Sequence, residues 1–150
     1  MLNKKTILAL TIMSMLFLTA CDSPSFGKNV EKEYYTGGKV RSEFIWSDSS
    51  GQNGVKKTYG FSGELTSTVQ VLNGVPHGIM TIYDSKRRVI RQIPYVNGKV
   101  HGVDKSFYPN GDRMITYTYQ YGIKNGNAYT YNSNGSVCKK AIYKNDRLVN

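Results

Sequence analysis

YVNGKVHGVDKSFYPNGDRMITYT (Tyr95–Thr118) is followed without a gap by YQYGIKNGNAYTYNSNGSVCKKAI (Tyr119–Ile142). Laid one over the other, these stretches align Gly98 with Gly122, Gly102 with Gly126, Phe107 with Tyr131 and Gly111 with Gly135. At the same spacing of 24 residues toward the N-terminus, Val71–Pro94 places Gly74, Gly78 and Tyr83 in the same columns. Tyr95, Tyr119 and Tyr143 make a second aromatic column. A fixed period of this length marks a stacked-repeat architecture.

Within one period the chemistry argues for two strands and two turns. Tyr108-Pro109-Asn110-Gly111 is a strong turn, because proline fixes φ ahead of the bend and Asn-Gly supplies positive-φ positions. Asn132 to Gly135 repeats it. Asp84 to Arg87 has lost the glycine, so that hairpin is expected to be looser. Asn97-Gly98 turns the chain into the next copy. The return strand alternates, which puts Arg113, Ile115, Tyr117 and Tyr119 on one face and Met114, Thr116 and Thr118 on the other. Pro94 predicts a bulge or a weak ladder. A helix has no room.

Earlier residues read as worn copies. Gly54, Tyr59, Val71 and Asn73 fall in the columns directly, and Tyr34, Gly38, Val40 and Trp46 do so after one inserted residue. Ser47 to Asn53 is a longer polar loop. The repeat domain is therefore 30–150, with four to five hairpin units. A lone hairpin is marginal in water, so each copy must shelter the rings of the next. Aromatic columns down a sheet add about 0.2–1 kcal/mol per cross-strand pair.

The first twenty residues stand outside this pattern. Lys4 and Lys5 precede an apolar stretch, Ile7 to Leu18, that is too short for the roughly 20 residues a spanning helix needs. Leu18-Thr19-Ala20-Cys21 then resembles the lipobox of bacterial lipoproteins. The resemblance implies a signal peptide at 1–20 and cleavage before Cys21. It also implies diacylglycerol on the Cys21 sulfur and an acyl chain such as palmitate on its amino group, which together give stable anchoring. The competing reading is an ordinary secretory signal that happens to precede a cysteine. Asp22 resembles the sorting residue that retains enterobacterial lipoproteins at the inner membrane. Residues 21–29 make a short tether. The expected location is the outer side of the cytoplasmic membrane, facing the periplasm in a Gram-negative cell.

The run Asn97-Gly-Lys-Val-His-Gly102 with Phe107-Tyr-Pro-Asn-Gly111 is similar to MORN repeats, in their bacterial variant form. Tyr121-Gly-Ile-Lys-Asn-Gly126 with Tyr131-Asn-Ser-Asn-Gly135 agrees with it. The resemblance covers residues 54–145, and 34–53 less closely. It implies an all-β fold, an elongated single-layer antiparallel sheet of stacked hairpins. It also implies a protein-binding role, because the bacterial family includes antitoxin or immunity partners of secreted toxins.

The chain carries 20 Lys+Arg against 10 Asp+Glu, and removing Lys4 and Lys5 leaves 18 against 10. Such a surface suits acidic proteins or anionic lipid. Nucleic acid is excluded as a partner by the expected export. The densest basic cluster, Lys86, Arg87, Arg88 and Arg91, is the candidate partner-binding site, weighed against a merely solvated hairpin tip. His77 and His101 share a column with Asn53 and Asn125, which reads as a turn-stabilising polar position; no metal site is expected, since the column recurs only every second strand. The acidic residues are scattered and no Gly-x-Ser-x-Gly elbow is present, so neither catalytic residues nor a cofactor is expected. With Cys21 lipidated, Cys138 has no disulfide partner. Sharing a column with Ile90 and Met114, it reads as a small packed residue. Two functions remain: a protein-binding module, in its sharpest form an immunity protein, or an envelope structural or exclusion lipoprotein.

Overall fold

A computed structural model of the protein describes residues 29–150. The expected signal peptide 1–20, the expected lipidation and sorting residues Cys21 and Asp22, and the tether up to residue 28 lie outside the described residues. The rest is strand and turn. Twelve strands follow one another: β1 Val30–Tyr34, β2 Val40–Trp46, β3 Gly54–Tyr59, β4 Leu65–Leu72, β5 Val75–Tyr83, β6 Val89–Val96, β7 Lys99–Val100, β8 Gly102–Phe107, β9 Arg113–Gln120, β10 Ile123–Tyr131, β11 Val137–Lys144 and β12 Arg147–Leu148. They form one antiparallel sheet in sequence order, with the short β7 lying beside β6 ahead of β8. Five hairpins and the start of a sixth make a single layer, as the repeat predicts.

The two ends of each hairpin differ. On one side lie tight turns with positive φ at both central residues: Asn73-Gly74, Asn97-Gly98, Tyr121-Gly122 and Asn145-Asp146. Such turns match the right-handed strand twist. Each also ties its unit to the one before. The N–H groups of Gly74, Gly98, Gly122 and Asp146 donate to the carbonyls of Gln52, Pro76, Val100 and Lys124, at 2.7–3.0 Å. On the other side lie longer loops closed by two backbone bonds, as in Tyr108 N–H to the Asp112 carbonyl at 2.8 Å and Gly111 N–H to the Tyr108 carbonyl at 2.9 Å. The Tyr108 hydroxyl donates to the Tyr131 carbonyl at 2.8 Å, and Tyr35 does the same to Tyr59 at 2.9 Å. Stacking is thus held by hydrogen bonds between units as well as by rings.

The loop without a glycine is not looser. Arg87 takes φ 62° in its place, and the Asp84 loop keeps both closing bonds at 2.9 Å. Asp84 compensates by accepting from the N–H groups of Lys86 and Arg88, each at 2.9 Å. The loop from Ser47 to Asn53 is the long one expected, with Asp48 accepting from Ser50 and Asn53.

Two kinds of bulge reshape the sheet, the second absent between β2 and β3, where the ladder runs unbroken to Gly54. One skips Arg41, Thr66, Ile90, Met114 and Cys138, for the ladder jumps from Phe107↔Arg113 to Ser106↔Ile115 and likewise in each unit. A bulge of one residue moves the rest of the strand to the other face. Arg113 therefore lies opposite Ile115, Tyr117 and Tyr119 rather than beside them, its guanidinium 4.8 Å from the centre of the Tyr131 ring. The second bulge falls at Gly78, Gly102 and Gly126, all with positive φ. The irregularity predicted at Pro94 is present, with the ladder broken between β7 and β8, but it recurs where no proline stands. The glycine column sets it.

These offsets place the two aromatic columns on opposite faces. Tyr95, Tyr119 and Tyr143 each pair with a glycine: Gly78, Gly102 and Gly126. A ring laid over a residue without a side chain covers backbone that would otherwise face water. Tyr83 and Phe107 lie on the other face, beside Thr81 and Lys105 rather than Met80 and Asp104. The core is correspondingly thin. Among the described residues its buried apolar members are Val69, Val71, Ile93, Ala128 and Tyr131, and none of their large side chains is fully enclosed.

Candidate functional site

The basic cluster predicted from sequence divides into two. Lys86, Arg87 and Arg88 stand exposed on the loop between β5 and β6. Arg88 is tied down there, its guanidinium 2.7 Å from the Asp84 carboxylate. The backbone N–H of Arg88 is the main cause holding the Asp84 carboxyl below its usual range. Lys86 and Arg87 make no ion pair with a carboxylate among the described residues. Arg91 lies beyond the bulge at Ile90, within the ladder of β6 and β8. Its Nε and Nη2 form a two-pronged bond to Asp104 at 3.0 and 2.6 Å. Asp104 is only 3% exposed, and its hydrogen bonds are the first cause raising Arg91 above the usual guanidinium value.

Around that pair lies a basic and aromatic ridge that sequence reasoning missed. Tyr95, four residues along β6, and Tyr119, opposite Gly102 in β8, share the sheet face of Arg91. Farther along the same face the Lys124 ammonium sits 4.5 Å from the Tyr117 ring centre and 5.4 Å from that of Tyr143. The two rings meet edge to face at 5.9 Å. Cation–ring contacts of this kind contribute about 0.5–1 kcal/mol where exposed. A signal was present: Lys124 occupies the column of Pro76 and Val100, where a charge needs a partner. On the opposite face, Tyr59 donates to Glu43 at 2.7 Å. Burial first, and then that bond, pushes the Tyr59 phenol up to about 12.

The polar column serves turns. Asn53 Oδ1 accepts from the Asn73 N–H at 2.8 Å, and His101 Nδ1 accepts from the Tyr121 N–H at 3.4 Å with its ring 4.5 Å from that of Tyr121. Asn125 instead donates to Gln120, and His77 Nδ1 is buried without a partner. Among the described residues no three His, Cys, Asp or Glu side chains lie together as metal ligands. Cys138 is not packed as expected. It is exposed, because its column is the bulged one.

Several carboxylates are committed to the fold. Glu33 is held low by Ser42 and then Arg41, Glu43 by Tyr59 and then Lys32, and Asp48 by Ser50 and then Asn53. A carboxyl whose folded value is depressed stabilises the fold above its unfolded value and stops doing so as pH falls through the folded one. With Asp84 included, stability is expected to be level near neutrality and to decline once pH drops below about 4.5. Urea midpoints across the acid range check this; midpoints that stay constant there contradict it.

Comparison with known proteins is consistent with this geometry. Residues 124–145 match the family model described as a MORN repeat variant. That stretch holds most of β10, all of β11 and the loop between them, which is one hairpin of the sheet. The chain thus carries a MORN repeat variant in its last full hairpin, and the hairpins before it repeat the same bulges and turns. No curated protein matches the chain. Among the described residues no helix is long and apolar enough to cross a membrane.

Proposed function

We propose that the protein is a non-catalytic binding module of the cell envelope, anchored by lipid on Cys21, with one face of its sheet engaging another protein. A single observation carries the reading. The ridge of Tyr95, Tyr117, Tyr119 and Tyr143 with Arg91 and Lys124 stands on a one-layer sheet with nothing among the described residues folded over it. Tyrosine is among the residues that dominate binding energy at protein interfaces. In its sharper form the partner is a secreted toxin that the protein holds inactive, a role the bacterial variant repeats suggest. The other reading is an envelope structural or exclusion lipoprotein without a toxin.

Capture of the acylated protein with its bound partners from its own host separates the two. A toxin recovered in stoichiometric amount supports immunity; envelope machinery supports the second reading. Anchoring has its own test. Cys21→Ser is expected to move the protein from the membrane to the soluble fraction, with loss of lipid mass on intact-protein mass spectrometry. Retention at the membrane with unchanged mass would sink the lipid anchor.

A further inference from the structure

Two long strands have an open side, and they differ in kind. β1 carries Glu31, Lys32 and Glu33, alternating charges of the sort that discourage another strand. Lys32 and Glu33 are already paired, with Glu43 at 3.0 Å and Arg41 at 2.9 Å. β11 is paired along its inner side with β10, from Gly126↔Tyr143 to Tyr131↔Val137. On its outer side β12 covers only Tyr143 and Lys144. Two further bonds involve Ile142, which donates to the Asn150 carbonyl and accepts from the Val149 N–H, both at 2.9 Å. From Ala141 back to Val137 the ladder has no outer partner among the described residues. Antiparallel strands turn alternate residues to opposite neighbours, so with Ile142 facing outward the open N–H and C=O groups are those of Lys140; the bulge at Cys138 breaks the alternation there.

The side chains along this edge are basic. Lys139, Lys140, Lys144 and Arg147 are exposed, and none forms an ion pair with a carboxylate among the described residues. The nearby Asp146 accepts from the Lys124 N–H at 2.8 Å. Beside Ala141 lies a notch of about 170 Å³, lined by Ile115, Tyr117, Ala128, Tyr143 and Leu148 among others.

We propose that this edge takes an extended acidic segment of a protein partner as an added strand. The proposal rests on the reading of the chain as a protein-binding module and specifies where the partner docks and with what. Main-chain bonds to the N–H and C=O of Lys140 supply the attachment, and alternate side chains supply selectivity. A ladder pairs residues one to one, and Lys139 and Lys140 point to opposite faces. The partner therefore presents two consecutive acidic residues, one toward each lysine. In an antiparallel addition the residue just before them falls beside Ala141, where an apolar side chain fills the notch.

The probe is a blocked peptide of about ten residues, Thr and Val in alternation with Val-Asp-Glu at the centre, long enough to span a strand. A second peptide carries Val-Lys-Lys instead. Hydrogen exchange of the full chain in detergent is expected to slow over Val137–Ile142 with the acidic peptide and not with the basic one. Lys139→Glu with Lys140→Glu is expected to weaken binding about tenfold while leaving the unliganded exchange pattern unchanged. Lys140→Pro removes the outward N–H but no bond to β10, and is expected to abolish binding. Equal protection by the basic peptide, protection at Val30–Tyr34, or unchanged affinity of the charge-reversed variant would overturn the proposal. If the acidic peptide fails while a partner captured from the host still protects Tyr117 and Tyr143, the edge is wrong and the binding module stands. If neither protects the sheet, both readings fall.

Discussion

Arg91→Ala is expected to destabilise the sheet by about 3 kcal/mol at neutral pH, and Asp104→Ala by about 1 kcal/mol. The inequality follows from where the two charges sit. The Asp104 side chain is 3% exposed and that of Arg91 44%. Removing the arginine leaves a carboxylate inside the sheet face with neither of its two charge-assisted bonds. Removing the aspartate leaves a guanidinium that can swing into water. Chemical denaturation of the two single variants and the double variant measures both the asymmetry and the coupling. Equal costs would show that Asp104 is solvated when alone and that the pair does not organise the centre of the sheet. The same measurement bears on function, for an Arg91 committed to Asp104 is a scaffold for the ridge rather than a free contact.

The second large effect is expected at glycines, for two different reasons. At Gly54 an added Cβ would collide with the Ile45 carbonyl and come within 2.6 Å of the Phe44 ring, both across the ladder. Gly54→Ala is expected to cost at least about 3 kcal/mol, because the carbonyl is backbone and cannot turn aside. Gly126 combines φ 127° with a Cβ position 3.1 Å from Thr118, so Gly126→Ala is expected to be comparably severe. Gly135 has φ 82° and open space around it, so Gly135→Ala is expected to cost only the conformational strain, about 1–2 kcal/mol. Thermal or urea unfolding of the three variants ranks them. A Gly135→Ala variant as damaged as Gly54→Ala would mean that turn conformation alone, and not cross-strand space, explains every glycine in the repeat.

The period made most of this architecture legible. Hairpin number, the turns at Asn73-Gly74, Asn97-Gly98, Asn110-Gly111 and Asn134-Gly135 and the long loop after Trp46 all follow from spacing and from the residues that tolerate positive φ. Two things were hidden. The bulge column holds Arg41, Thr66, Ile90, Met114 and Cys138, which share no chemistry, so nothing in the residue types marks the skipped position. Simple alternation therefore put Arg113 on the wrong face, and the column shared with Ile90 and Met114 put Cys138 in a packed site although it is exposed. The Arg91–Asp104 pair was hidden for a related reason. Arg91 looks like part of the Lys86–Arg88 run in a linear reading, and only the register of β6 against β8 shows that its partner lies across the ladder. Asp84 made the opposite point: a missing glycine predicted a slack loop, and one carboxylate accepting two N–H groups closed it.

A strand in this sheet meets only the one before it and the one after. Cohesion is then a sum along a line rather than a property of a shared centre. Tension drawn across the ladder, from the first strand toward the last, would unzip the molecule pair by pair like a seam, each step giving way at modest force. Pulled along the strands, the same sheet would have to shear many bonds together. An assembly of this build bears load in one direction and yields in the other.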